Sequence, residues 1–286
     1  MKARKPDCLV IGAMKSGTTS LHYYLSQHPD IHMSEPKELD YFTFNYSKGE
    51  EWYRSHFVTN KKLCGESSQN YTKRHDQRFS MASERIARDL PEAKLIYIVR
   101  HPVSRIISHI HENIAAHEYQ ADFDFDGFIQ ENPENHWVWC SRYYYQLEVY
   151  AKQFAEGRLL VITLEELQQD INCAMYKVFN FLDIEPISYS DSISSKNSFN
   201  TKYYLSTFSK FFARRPALRA SIKRILSPAA ERIKQTSVYK DKILKRKVAA
   251  VRLNDNTLST LNEVLQEDLN LFCGKYLNAQ NYPFVE

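Results

Sequence analysis

Short apolar runs alternate with segments of helical periodicity along most of the chain. Residues 7–12, 93–99 and 158–163 are apolar and rich in β-branched side chains, which predicts buried parallel strands. Apolar positions recur at helical spacing in residues 19–27, 83–90, 103 onward, 142–155, 165–182 and 256–277. Strands separated by helices indicate βαβ units. We therefore expect an α/β protein with a central parallel sheet flanked by helices.

A strongly basic segment precedes the last predicted helix. Residues 210–247 hold 13 Lys and Arg side chains against two acids, whereas the whole chain has a net charge of only +4. We interpret 1–286 as one domain in which 210–247 is a mostly helical insertion, broken at Pro216 and Pro228. Its charge suits an anionic polymer or a membrane surface, with a solvated helical face as the alternative, and indicates no specific nucleic acid.

The cysteines and the first residues bear on compartment and metal binding. Five cysteines are an odd number, and they are widely spaced without a CxxC pair, so we expect neither a disulfide framework nor a metal site. The first apolar run is too short to span a bilayer, and polar and basic residues precede it. These features predict a cytoplasmic protein, free or peripheral to a membrane.

The first strand is followed by a loop suited to an anion. Residues 12–19, Gly-Ala-Met-Lys-Ser-Gly-Thr-Thr, connect that strand to a helix, so backbone N–H groups and the helix N-terminus face one ligand. Thr18 stands where the nucleoside triphosphate loop GxxxxGK[ST] requires lysine, and Lys15 comes earlier instead. The loop therefore favours an anhydride ligand bound without a metal ion.

A second turn follows another predicted strand. Arg100-His101-Pro102 comes directly after the run 93–99, and a helix follows. Ligands of open parallel sheets bind at the carboxyl ends of the strands. We therefore expect this turn and the loop 12–19 to share one ligand.

Both segments resemble one enzyme family. Residues 11–21 resemble the 5′-phosphosulfate loop of sulfotransferases that use 3′-phosphoadenosine 5′-phosphosulfate (PAPS), especially heparan sulfate N- and O-sulfotransferases and bacterial relatives. Residues 98–108 are similar to the family's 3′-phosphate site, which implies that Arg100 and Ser108 bind that phosphate. The resemblance implies the P-loop nucleotide-kinase-like sulfotransferase fold, PAPS as donor, PAP (adenosine 3′,5′-bisphosphate) as product and no metal. The implied donor-binding residues of the loop are Lys15, Ser16, Gly17, Thr18, Thr19 and Ser20.

The resemblance also implies a catalytic base. Residues 36–42 resemble the family segment whose glutamate removes the acceptor proton, which assigns Glu38 as base, with Lys15 stabilising the leaving phosphate. The resemblance further implies that Lys37 contacts donor or acceptor and that Asp40 contacts the acceptor, although relatives often carry histidine or glutamine at the Asp40 position. Glu35 is the competing carboxylate. The histidines are a further alternative base, and we expect most of them to be helix-surface residues: His101, His109, His111 and His117.

Two further segments are similar to the family. Residues 65–71 resemble its acceptor-side segment, which implies acceptor contacts for Glu66 and Ser67, although Ser67 replaces a lysine of the heparan enzymes. Residues 198–203 resemble a late loop that closes over the donor, which implies donor contacts for Lys202 and Tyr203.

The leading hypothesis is transfer of a sulfuryl group from PAPS to a hydroxyl or amine of a glycan, glycolipid or small molecule. One alternative is a magnesium-dependent, nucleotide kinase-like phosphotransferase, which the missing lysine after Gly17 disfavours. Another is a noncatalytic nucleotide- or polyanion-binding protein that uses the basic segment 210–247.

Overall fold

The computed structural model describes residues 2–116, 118–120, 122–189, 204–205, 245–246 and 251–277. Its strands are β1 (Lys2–Ala3), β2 (Cys8–Gly12), β3 (Ile31–Met33), β4 (Val58–Thr59), β5 (Leu63–Ser67), β6 (Lys94–Val99), β7 (Leu159–Thr163), β8 (Tyr204–Leu205) and β9 (Lys245–Arg246). Five of these strands form a parallel sheet in the order β3-β5-β2-β6-β7. Strands β1 and β4 pair in an antiparallel ladder, as do β8 and β9.

Helices follow the strands along the chain. They are α1 (Thr18–Gln27), α2 (Gly49–Ser55), α3 (Ala82–Asp89), α4 (Pro102–Ala115), α5 (Phe125–Glu131), α6 (His136–Trp139), α7 (Tyr143–Gln153), α8 (Leu164–Gln169), α9 (Ile171–Leu182) and α10 (Asp255–Tyr276). Residues Tyr46–Lys48 and Gln69–Thr72 form 3₁₀ turns.

The sheet separates two apolar layers because successive side chains of a strand point to opposite faces. Leu95 and Tyr97 of β6 pack with residues of α3, α7 and α10 on one face. Ile96 and Ile98 pack with α1 and α9 on the other face. Residues 94–99 are almost entirely buried, as the continuous apolar run predicts for a parallel strand covered on both sides.

The predicted fold class is confirmed, with two local differences. The apolar pattern does not predict strands β3 and β5, because they are short and contain polar residues such as His32 and Glu66. The single helix predicted over 165–182 is wrong, since α8 and α9 are separate helices. Asp170 lies between them with extended backbone, and its side chain accepts a hydrogen bond from the Cys173 N–H, which starts the second helix.

The chain divides into two compact units. The first contains residues 1–110, 124–194 and 252–286, and the second contains 111–123 and 195–251. The basic segment 210–247 falls in the second unit and lies outside the described residues except for β9, so its helical character stays a prediction. Among the described helices, none has the length and apolar character needed to cross a bilayer.

Candidate active site

The loop after β2 is shaped by close packing around two glycines. A Cβ at Gly12 would overlap Thr72 Oγ1 and lie 2.9 Å from Tyr97 Cε2. Gly17 has a φ of 98°, and a Cβ there would lie 2.7 Å from Leu164 Cδ1. Such contacts and a left-handed φ leave little room for any other residue. Glycines at both ends therefore let the loop turn tightly from the strand into α1.

The same loop provides polar groups for an anion. Helix α1 begins at Thr18 without a side-chain cap or an acid in its first turn, so the N–H groups of Thr18, Thr19 and Ser20 lie at its positive end. Lys15 adopts a left-handed φ of 66°. Ser16 is fully buried, and its hydroxyl makes no hydrogen bond within the described part of the chain. A buried hydroxyl without a partner fits a site that is completed by a ligand oxygen.

The turn after β6 contains the second predicted group of donor-binding residues. Arg100 is partly buried, and burial is the main cause that lowers the pKa of its guanidinium. Helix α4 begins at Pro102, as predicted, and carries the partly buried Ser108 two turns later. Glu165 accepts a hydrogen bond from the His101 N–H at 3.0 Å, which fixes the turn.

The fold brings the two turns to neighbouring positions. Strands β2 and β6 are adjacent and parallel, and the Ala13 N–H donates to the Ile98 carbonyl at 2.7 Å just beyond the ladder. Both turns therefore leave the same edge of the sheet, as expected from the sequence. The described side chains at this edge include the cationic groups of Lys15 and Arg100, so the site is suited to a ligand with two anionic groups.

The segment with the predicted base follows β3 and lies beside β5. The Glu38 N–H donates to the Ser67 carbonyl at 3.0 Å, and Gln69 Nε2 lies 3.5 Å from Glu38 Oε2. Lys37 Nζ forms an ion pair with Glu38 Oε1, and the Glu38 side chain is one third exposed, at 34%. Glu38 also has a left-handed φ of 64°. Residues with such a left-handed backbone conformation are enriched at functional sites. The Glu38 carboxylate also remains accessible to an acceptor.

Asp40 belongs to a buried polar chain next to Glu38. Asn70 Nδ2 donates to Asp40 Oδ2 at 3.0 Å, and Lys73 Nζ donates to Asn70 Oδ1 at 2.8 Å. Burial raises the pKa of Asp40, and the nearby Glu38 raises it further. The second oxygen of Asp40, Oδ1, is buried without a partner among the described residues. Lys73, which the sequence analysis missed, places a cation near both carboxylates.

Glu66 and Ser67 lie at the end of β5. Glu66 is fully buried, and its Oε1 accepts hydrogen bonds from Tyr53 Oη at 2.9 Å and Tyr71 Oη at 2.5 Å. Ser67 Oγ lies 2.9 Å from His22 Nδ1. These contacts hold β5 against its neighbours, and the assignment of both residues to the acceptor stays a prediction.

The buried Glu66 makes folding stability depend on pH. Burial raises the pKa of Glu66 from 4.5 to about 7, so its stabilising effect is complete below pH 4.5 and is lost as the pH rises towards 7. We expect Glu66→Gln, which cannot ionise, to gain stability relative to the wild type by roughly 2.5 kcal/mol between pH 5 and pH 8. Thermal unfolding at both values measures this. Glu84→Gln, at an exposed position, serves as the control, because its stability relative to the wild type should be the same at both pH values. The same independence of pH for Glu66→Gln would contradict the prediction.

The expectation that the histidines lie on the helix surface is wrong for two of them. His109 and His111 are buried, with 2% and 4% of their surfaces exposed. His109 Nδ1 lies 3.3 Å from Arg105 Nη1, and burial together with this guanidinium lowers the pKa of His109. His111 Nε2 accepts a hydrogen bond from the Val251 N–H at 2.7 Å within the second unit. His101 is partly buried, and His117 lies outside the described residues.

The sequence predicts no metal site, yet the fold groups three residues that are able to bind one. His75, His136 and Cys140 place their ligand atoms within 4.8 Å of one another. Gln146 Nε2 donates to His75 Nδ1 at 2.8 Å, while Gln146 Oε1 accepts from the Arg74 N–H. The amide orientation therefore leaves the His75 proton on Nε2, which lies 3.0 Å from His136 Nδ1. This arrangement is a hydrogen-bonded chain, and the absence of a metal stays a prediction.

The remaining predicted residues lie elsewhere. Glu35, the competing carboxylate, is exposed and lines a groove together with His32, His56 and Lys61. Lys202 and Tyr203 lie outside the described residues, so their donor contacts stay a prediction.

Curated proteins similar to this chain include sulfotransferases of two kinds. The membrane-associated sulfotransferase kil1 of Dictyostelium discoideum is 41% identical over 114 residues, covering 38% of this chain and 23% of that protein. The bifunctional heparan sulfate N-deacetylase/N-sulfotransferase 4 of Mus musculus is 30% identical over 215 residues, covering 66% of this chain and 24% of that protein. The chain thus spans about a quarter of the length of these relatives.

A solved structure and a family model agree with this likeness. The crystal structure of a sulfotransferase from Alicyclobacillus acidocaldarius superimposes with a TM-score of 0.57 at 22% identity, covering 83% of this chain and all of that one. This similarity establishes the sulfotransferase fold. The family model described as a sulfotransferase domain matches residues 5–211, which include both turns, Glu38 and the whole parallel sheet. The chain therefore belongs to the sulfotransferase family.

Proposed function

We propose that this chain transfers a sulfuryl group from PAPS to a hydroxyl or amine of a glycan or glycolipid. The observation that carries the proposal is the pairing of two anion-binding turns at one edge of the sheet, each with a cationic residue. PAPS has anionic groups at both ends of its ribose, and the separate turns match that division. The buried hydroxyl of Ser16, which has no hydrogen-bond partner in the described part of the chain, supports a phosphate or sulfate oxygen at the first turn.

The residues of each turn have distinct roles towards the donor. Lys15, Ser16 and the first amides of α1 would hold the 5′-phosphosulfate, because N–H groups point out of this helix N-terminus along a positive dipole. Arg100 and Ser108 would hold the 3′-phosphate. Lys202 and Tyr203 of the late loop would add contacts to the donor. Residues Gly17, Thr18, Thr19 and Ser20 would contribute mainly through their backbone.

The reaction requires a base, an electrophilic stabiliser and in-line approach. Glu38 would take the proton of the acceptor hydroxyl or amine as its oxygen or nitrogen attacks sulfur. The bond between sulfur and the 5′-phosphate oxygen breaks, and Lys15 would stabilise the negative charge that collects on that oxygen. PAP leaves, and Glu38 returns its proton to solvent. Lys37 and Asp40 flank the base and would contact the acceptor, with Glu66 and Ser67 on the acceptor side.

The acceptor class rests on the named relatives and on surface charge. One of the relatives is a heparan sulfate N-sulfotransferase, and the other is a membrane-associated sulfotransferase. The basic segment 210–247 would attract a glycan with anionic groups or an anionic membrane surface beside a glycolipid. We accordingly propose a glycan or glycolipid acceptor and, for this chain, peripheral membrane association.

The two other functions make different predictions about ligands. A nucleotide kinase needs a magnesium ion, and the residues that directly follow the neighbouring strands β6 and β5 are Arg100 and Ser68, neither of which is an acid. A noncatalytic binding protein would need no base. Neither alternative gives a role to the partly exposed carboxylate of Glu38.

Calorimetry combined with a turnover assay tests the proposed function. We expect PAP to bind without magnesium, and radiolabelled PAPS to transfer sulfate to a panel of glycans that includes N-deacetylated heparan. Magnesium-dependent ATP binding would instead support the kinase. PAP binding without transfer to any acceptor in the panel would support the noncatalytic protein.

Arg100 supplies a prediction about binding alone. We expect Arg100→Ala to weaken PAP binding by about 100-fold, because a charged hydrogen bond to phosphate is lost from a partly buried site. Binding of adenosine 5′-monophosphate should change little. Calorimetry measures both affinities, with Arg78→Ala as a control because Arg78 is exposed and paired with Asp76. An unchanged PAP affinity would remove Arg100 from the site.

A further inference from the structure

A buried tyrosine connects the two turns. Tyr143, the first residue of α7, is fully buried, and its Oη donates to the Arg100 carbonyl at 2.7 Å. The Ser16 hydroxyl of the first turn acts to lower the pKa of this phenol, against the larger effect of burial. Ser16 Oγ itself makes no well-formed hydrogen bond within the described residues. Tyr143 thus bonds to the backbone of the second turn and interacts with a side chain of the first.

The surroundings hold Tyr143 firmly in this position. Its ring packs against Tyr97 of β6 and Phe272 of α10, with centroids 6.0 Å and 5.5 Å away. Asp268 of α10 accepts hydrogen bonds from the Tyr144 and Tyr145 N–H groups at 3.0 Å and 2.8 Å. These bonds cap the start of α7. Burial raises the pKa of Tyr143 to about 12, so the phenol stays protonated and able to donate at neutral pH.

A buried arginine makes a second connection between the same segments. Arg105 of α4 is fully buried and donates to the Met14 carbonyl, one residue before Lys15, at 3.4 Å. It also donates to the Trp137 carbonyl and to Ser141 Oγ, both at 2.6 Å. The segment 137–143 therefore supports the first turn through Arg105 and the second turn through Tyr143.

We propose that Tyr143 is a positioning residue that sets the spacing between the two anion-binding turns, so that a ligand with phosphates at both ends binds more tightly than either half. The inference rests on the proposed donor and goes beyond it, because Tyr143 itself need not touch the ligand. A bisphosphate must satisfy both turns at once, whereas a monophosphate engages one. Loss of the phenol should therefore cost affinity only for the bisphosphate.

The affinities of three nucleotides distinguish this positioning role from a purely structural one. The affinities of PAP, adenosine 5′-monophosphate and adenosine 3′-monophosphate are measured by calorimetry for the wild type and Tyr143→Phe. We expect Tyr143→Phe to weaken PAP binding about tenfold, as suits the loss of one buried hydrogen bond. Both monophosphates should bind within twofold of the wild type.

Tyr150→Phe is the matched control. Tyr150 lies on the same helix, is buried, and donates to the Tyr71 carbonyl at 2.6 Å. It should lose similar thermal stability while retaining the full advantage of PAP over the monophosphates. Equal weakening of all three nucleotides in Tyr143→Phe, or no weakening of PAP, would overturn the positioning role. A wild type that fails to favour PAP would refute the proposed donor, and the positioning role with it.

Discussion

Lys15→Ala is expected to lower kcat by about 10² to 10³ while leaving the fold intact, since comparable losses follow removal of one group that stabilises charge in a transition state. Lys15 lies in the loop 12–19, outside the two apolar layers, so its side chain contributes little to the core. The charge on the leaving 5′-phosphate develops mainly in the transition state, which places the effect on kcat more than on KM. Steady-state kinetics with PAPS and one active acceptor measure the change.

Lys152→Ala is a suitable control for this loss. Its side chain is 70% exposed and pairs with Glu148 on α7, remote in sequence from both turns. We expect its kcat to stay within twofold of the wild type. A Lys15→Ala protein with wild-type kcat and a raised KM would mean that Lys15 only helps to bind the donor.

Glu38→Gln is expected to reduce kcat by about 10² to 10⁴, the usual contribution of a general base. The amide retains the size of the carboxylate and can still accept from Gln69, so donor binding and thermal stability should change little. Removing the carboxylate takes away the proton acceptor and a partly exposed ion pair with Lys37, which contributes little to stability. Turnover measured alongside PAP affinity distinguishes catalysis from binding.

Glu35→Gln is the matched control, because Glu35 is the competing carboxylate and lies three residues earlier. It is exposed in the groove with His32 and His56, and we expect nearly wild-type turnover. Full activity in Glu38→Gln together with a large loss in Glu35→Gln would move the base to Glu35. Full activity in both variants would move it to another group, and the half-buried Asp40 would be the next carboxylate to test.

The sequence predicts the elements that depend on local pattern. The apolar runs of β2, β6 and β7 are continuous, and the glycines of the loop 12–17 mark a turn, so the strand, loop and helix order is evident without coordinates. The Arg100 turn is recognisable because proline begins the next helix. The helix break at Asp170 could have been inferred, since aspartate is a strong N-cap residue.

Other features depend on contacts between distant residues. Tyr143 meets the Arg100 carbonyl across 43 residues, and Arg105 meets the Met14 carbonyl across 91 residues. The hydrophobic periodicity of a sequence does not indicate contacts between residues this far apart. The position of Arg105 gives one indication in the sequence, because it lies beside the apolar positions Val103 and Ile106 of α4. An arginine buried there needs hydrogen-bond partners within the protein. The burial of Glu66 likewise depends on Tyr53 and Tyr71, which come from separate elements.

A crystal structure with bound PAP would show directly which residues contact its two phosphates. We expect the 5′-phosphate on the loop 12–19, contacted by Lys15, Ser16 and the first amides of α1, and the 3′-phosphate on Arg100 and Ser108. If PAP lies elsewhere, or if only one of the two turns contacts a phosphate, the proposed donor site is wrong.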